Sequence, residues 1–151
     1  MSTDEQQLIK YTITRLLASR EHSVHELEIK LKQRNFDHEL VQQWLEKFSA
    51  ADIQSDYRFA EMLARSRINK GAGELSLINE LKQHRLTHEI ISQVLANLAP
   101  DWFELAHRAL VKKSSGKPPG DLNTQQKYYR FLQQRGFSAE QIRYAIQSLK
   151  E

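Results

Sequence analysis

Residues 27–48, LEIKLKQRNFDHELVQQWLEKF, decide the fold, because the chain writes the same pattern twice more, at 77–98 as LINELKQHRLTHEIISQVLANL and at 128–149 as YYRFLQQRGFSAEQIRYAIQSL. The three stretches superpose without a gap. Leu27, Leu31, Phe36, Val41, Leu45 and Phe48 fall on Leu77, Leu81, Leu86, Ile91, Leu95 and Leu98, then on Tyr128, Leu132, Phe137, Ile142, Ile146 and Leu149. A Glu keeps its place in each copy, as Glu39, Glu89 and Glu140. Apolar residues four apart before the central position, then five, four and three apart after it, give one buried stripe on each of two helices.

The break between the two helices has its own chemistry. Asp37, Thr87 and Ser138 are N-cap residues, whose side-chain oxygens accept from the first free N–H groups of a helix. Each follows an apolar residue (Phe36, Leu86, Phe137) and precedes another at the fourth helical position (Val41, Ile91, Ile142). That pair is a hydrophobic staple, which sets the angle at which the chain enters the helix.

Upstream of each pair lies a further amphipathic segment: Leu8 to Ser19, Tyr57 to Ile68 and Trp102 to Lys112. Ser23 with Glu26, and Asp101 with Glu104, have capping-box spacing. The connectors before the second helix differ: short around Glu21-His22-Ser23, Gly-containing over residues 69–73, and longest over 114–120 (SSGKPPG), which reads as a mobile loop or hinge. The expected fold is all-α: three tandem three-helix repeats, about nine helices, spanning 1–50, 51–100 and a basic 101–151. Units this small must lean on their neighbours, which favours an elongated, curved array with long binding surfaces.

Composition agrees. The 151 residues are 40% hydrophobic and 27% charged, with only 5 Gly and 3 Pro, a helix-favouring mix. With no Cys there is no disulfide, thiolate metal site or cysteine nucleophile. The polar start MSTDEQQLIKYT lacks the apolar core of a signal peptide, and no run of 18 apolar residues could span a membrane. A cytoplasmic monomer is expected. The net charge of +3 is uneven: residues 1–50 hold 7 basic against 8 acidic side chains, 51–102 hold 6 against 7, and 103–151 hold 9 against 4. The basic third unit reads either as a solvated face or as one turned towards a polyanion or an acidic protein.

Several local strings resemble the RecX family, bacterial regulators of the RecA recombinase. They are Asp56-Tyr57-Arg58-Phe59-Ala60 followed by Arg65-Ser66-Arg67 and Lys70-Gly71-Ala72-Gly73; Asp101-Trp102 with Leu105-Ala106; and Arg130-Phe131-Leu132-Gln133-Gln134-Arg135-Gly136-Phe137 with Gln141-Ile142. The resemblance runs from about residue 10 to the end and is most specific in the middle unit. It implies a protein that binds the groove of the RecA–DNA filament, limits its growth and inhibits ATPase, strand-exchange and coprotease activities. Some family members also bind DNA. The first unit departs in having Arg34-Asn35-Phe36 where a Gly–aromatic pair is common.

No catalytic apparatus and no cofactor is expected. His22 and His25 are three apart and His84 and His88 four apart. The second pair straddles an interhelical turn, and no third metal ligand converges. Gly71-Ala72-Gly73 lacks the string and the preceding strand of a phosphate loop, and no Gly-x-Ser-x-Gly elbow occurs. Phe36, Phe48, Phe59, Tyr128 and Phe137 read as core, with Trp44 one position off the stripe and partly exposed. Two basic clusters occupy equivalent places before the second helix: Arg65, Arg67 and Lys70, then Lys112, Lys113 and Lys117. Together with Arg130 and Arg135 they are the candidate contacts to RecA or DNA. Cations at helix C-termini also complement the macrodipole, so both readings stand. Three functions follow: a RecA-filament regulator, a stand-alone DNA-binding module using the basic third unit, and a helical scaffold.

Overall fold

The computed structural model describes residues 2–151, and among them the chain forms nine helices and no strand. They are α1 (Ser2–Ser19), α2 (Val24–Gln33), α3 (His38–Ala50), α4 (Asp56–Asn69), α5 (Glu74–Gln83), α6 (His88–Leu98), α7 (Trp102–Ser114), α8 (Leu122–Arg135) and α9 (Ala139–Lys150). α1 begins at Ser2, ahead of the expected Leu8. In every unit the first helix packs on both the second and the third.

The caps act where the spacing predicts. Asp37 Oδ2 accepts from Leu40 N–H (3.1 Å), Thr87 Oγ1 from Ile90 N–H (3.2 Å) and Ser138 Oγ from Gln141 N–H (3.3 Å). Ser23 and Glu26 close a full capping box. At α7 the box is half made: Asp101 accepts from Glu104 N–H, while the Glu104 carboxylate turns forward to Arg108 (3.2 Å). The residue in the tight turn between second and third helix is left-handed in all three units: Asn35 (φ 62°), Arg85 (φ 57°) and Gly136 (φ 96°).

The stripes bury in most positions, but Phe36, Leu95, Leu98, Tyr128 and Leu149 are only half-buried, so Phe36 and Tyr128 depart from the core reading and sit at its edge. Leu27, Leu31, Val41, Leu45 and Phe48 are buried in the first unit, and Leu132, Phe137, Ile142 and Ile146 in the third. In α6 it is Val94 that is fully buried while Leu95 is half-buried, whereas in α9 both equivalents, Ala145 and Ile146, are buried. The units do not share their cores equally. The first unit closes its own cluster with Ile9 and Ile13, whereas Phe59, Leu63, Leu77, Leu81, Trp102, Leu110, Leu132 and Ile142 belong to one cluster running through units two and three.

The two joints between units differ in kind. Between units one and two the joint is polar. Asp56 Oδ1 accepts from Val24 N–H at the start of α2 (2.9 Å) and from Gln54 Nε2 (2.9 Å), and the buried Gln54 also donates to the His22 carbonyl (3.1 Å). Arg58 ties the turns on either side by reaching Glu21 Oε2 (3.1 Å) and Asp52 Oδ1 (3.0 Å). Between units two and three the joint is backbone on backbone. Gly73 N–H donates to Arg135 O (2.7 Å) and Leu75 N–H to Gly136 O (2.9 Å), so the start of α5 sits on the end of α8. A Cβ on Gly73 would lie 2.4 Å from Gly136 C, and one on Gly136 would lie 2.3 Å from Ser76 Cβ. Gln141 Nε2 crosses the same seam to Glu74 Oε1 (2.8 Å).

The long connector is tied at its first half. Gly116 N–H donates to Val111 O, Lys117 N–H to Ser114 O, and the Tyr128 hydroxyl to Lys117 O (3.0 Å).

Glycine replacements separate the seam from an ordinary turn. Gly136→Ala combines left-handed strain of about 1 kcal/mol with a clash of the kind that costs a further 1–3 kcal/mol, roughly, in a packed interior. Gly116→Ala, at φ 78° with open space around it, incurs only the strain. Urea unfolding should show the first variant losing clearly more stability than the second.

His22 supplies a pH prediction. Its ring is buried, with Nδ1 3.0 Å from Arg20 O and Nε2 3.1 Å from Lys30 Nζ. The ammonium must donate to Nε2, so the proton sits on Nδ1 and the ring is neutral. Burial, aided by the Arg20 and Lys30 charges against the opposing Arg20 carbonyl and Glu26, lowers its pKa. The unfolded chain therefore takes up the proton first, and stability falls as pH drops below about 6.5 towards the folded value. Urea unfolding at pH 7.5 and 5.5 should show a smaller loss for His22→Gln than for the parent chain.

Candidate interaction surface

The candidate cations divide by what holds them. Arg67 is engaged: its Nε and Nη2 meet the Glu80 carboxylate at 2.7 and 2.8 Å, fastening α4 to α5. This bidentate contact holds the Glu80 carboxyl below its ordinary pKa against partial burial. Arg65 lies on another side of α4, 3.5 Å from Glu61, at a groove of about 330 Å³ that Asn69, Leu105 and Arg108 also line.

Arg135 is directed inward along the seam. Its Nη1 donates to the Lys70 carbonyl at the end of α4 (3.1 Å) and its guanidinium lies 5.0 Å from the centre of the Phe131 ring. Lys113 Nζ approaches the same ring at 5.4 Å. A half-buried phenyl ring thus collects cations from α7 and α8 beside the end of α4, an arrangement that the ring's negative face favours. Lys113 and Arg135, distant in sequence, meet at one ring, and Arg135 is tied to the backbone of the exposed Lys70. Lys112, Lys117 and Arg130 are exposed and form no ion pair among the described residues.

Such a pair can face an anionic surface, because the ring holds both exposed cations and the Lys70 carbonyl holds Arg135. Phe131 as the platform was missed in sequence; its signal was its place between Arg130 and Arg135 in a helix whose buried stripe runs elsewhere. Metal chemistry finds no support in the geometry. Among the described residues no three His, Asp or Glu side chains converge. His84 ends α5 with its ring edge-on to Phe59 at 4.8 Å, and His88 opens α6. Among the described residues no helix is long and apolar enough to cross a membrane.

The strings that carried the sequence resemblance are the joints. Asp56 and Arg58 make the polar joint, and residues 70–73 and 135–137 are the two sides of the backbone seam. Family profiles described as the first, second and third three-helix domains of RecX match residues 13–48, 55–95 and 100–146. The chain is 38% identical to regulatory protein RecX of Chromohalobacter salexigens, over 87% of this chain and 86% of that one. It is 40% identical to that of Stenotrophomonas maltophilia over 86% and 80%. The crystal structure of RecX from Lactobacillus salivarius superposes with a TM-score of 0.81 at 21% identity, covering 98% of each chain. A second RecX crystal structure gives 0.79 at 22%, over 97% of this chain and 73% of that one. With all three domains matched in order and relatives this similar along most of its length, the chain belongs to the RecX family of regulatory proteins.

Proposed function

We propose that this chain regulates the RecA recombinase by binding the RecA–DNA filament and inhibiting its ATPase, strand-exchange and coprotease activities, thereby acting on recombination, repair and the SOS response in the cytoplasm. Membership of the RecX family carries this reading. On this reading the contact surface is the pair Lys113 and Arg135 at Phe131 together with the exposed Lys70, Lys112, Lys117 and Arg130. A regulator of this kind acts by occupancy as a monomer. Neither a nucleophile with an adjacent base nor a phosphate-cradling loop stands in the sequence, which supports binding rather than catalysis.

The basic third unit supports a second reading, a DNA-binding module that needs no recombinase. One set of measurements separates the two. Titrated into RecA on single-stranded DNA, the protein should depress ATP hydrolysis at near-stoichiometric amounts. An unchanged rate there would sink the first reading. Tight binding to DNA alone, weakening steeply with salt, would favour the second. Charge reversal at Lys70 and Lys113 should weaken inhibition several-fold without loss of thermal stability. Arg67→Ala should instead act mainly on stability, by about 0.5–1 kcal/mol for a half-exposed pair.

A further inference from the structure

A groove of about 570 Å³ opens between units one and two, remote in sequence from the cluster around Phe131. Ile29 of α2, 45% exposed, and Phe36 of the turn between α2 and α3 supply its floor. Its rim carries Lys32 and His38 from unit one and Arg85 from the α5–α6 turn of unit two. Lys32 and Arg85 make no ion pair among the described residues. The one carboxylate in the groove, Glu28, accepts from Gln42 Nε2 (3.2 Å).

The repeat explains why the groove exists. At the seam between units two and three, Gly136 O accepts from Leu75 N–H and the turn closes directly on the helix start. Their equivalents one unit earlier are Arg85 and His25. Both line the groove, and no backbone hydrogen bond joins them. Arg85 holds the left-handed conformation that glycine takes in unit three, so a long cationic side chain stands where the third unit has none.

We propose that this groove binds an acidic peptide segment of a protein partner, with an apolar side chain of the segment seated over Ile29 and Phe36. The volume suits one or two side chains. A floor of exposed apolar surface gives an anchor its affinity, and unpaired cations on both walls give selection for negative charge. Charge complementarity also favours a short peptide over a nucleic acid. Residues 1–50 hold 7 basic against 8 acidic side chains and 51–102 hold 6 against 7, so a long polyanion would meet repulsion on leaving the groove. A short segment needs only the groove.

The assay contains the full-length protein without recombinase, so its outcome is independent of the function proposed above. Fluorescence anisotropy would follow a labelled peptide of about a dozen residues, rich in Asp and Glu around a central Leu-Phe. A peptide with Lys in place of every acidic residue, one with Ser in place of Leu-Phe, and an oligothymidylate serve as comparisons. Saturable binding of the acidic peptide is expected, weakened at least about tenfold by Lys32→Glu with Arg85→Glu and also by loss of its Leu-Phe. Lys127→Glu, on α8 of unit three and outside the groove lining, should leave it unchanged, and thermal melts should show the groove variants folded. Failure of the acidic peptide to bind, equal binding to parent and groove variants, or groove-dependent binding of the oligothymidylate in its place would each overturn the proposal. Ile29→Asp, at an exposed position, gives a second reading of the floor and should weaken binding without the two charge changes.

Discussion

A helix begins with N–H groups that have no partner inside it, and in this protein each unit completes the second helix of the unit before it. Asp56 of unit two accepts from the first N–H of α2, and Arg135 and Gly136 of unit three accept from Gly73 and Leu75 at the start of α5. Units of this size are poorly stable alone. A donor that only the next unit can satisfy fixes where that unit must sit. The second case adds alignment of the two helix dipoles, α8 ending where α5 begins. The glycines at 73 and 136 are what permit the approach, since either Cβ would fall inside contact distance of the opposite backbone or Ser76.

The contrast between the joints sets the mechanics of the molecule. The seam of units two and three continues one apolar cluster, so separating them exposes core. The joint of units one and two consists of side-chain hydrogen bonds and the Arg58 ion pairs, with a closed core on its far side. Polar contacts exchange readily with water at small net cost, whereas apolar area does not. Units two and three therefore form the stiff body on which the cation cluster is mounted. Unit one is attached through the His22 carbonyl, Gln54, Asp56 and Arg58.

The reach of the sequence follows the distance over which each feature is determined. Apolar register and N-caps are local, and Leu27 to Phe48 with its two copies could be read almost position by position. Val94 displacing Leu95 depends on how α6 packs on α4, which no spacing records. Glu104 leaving its box for Arg108 is a competition between two partners equally near in sequence. The joints were visible only as strings without a mechanism, because their bonds span 32 residues from Val24 to Asp56 and 67 from Glu74 to Gln141. Of the candidate cations, Arg67 looked as free as Lys70. Only the fold shows that it is bound to Glu80, and that Arg135 turns back along the seam instead of outward.

The unequal division of the core has a consequence during synthesis. Residues up to Phe48 contain all of the first cluster, so unit one can close while the rest of the chain is still being made. Phe59, Leu77 and Leu81 have no such independence, because their cluster includes Leu132, Phe137 and Ile142. A nascent chain ending anywhere between residues 100 and 130 thus carries a finished domain followed by an unfinished one with apolar surface uncovered. Domains generally fold as units in the order they emerge. The second unit therefore keeps apolar surface uncovered until α8 and α9 emerge, and a truncation in that range leaves its core open.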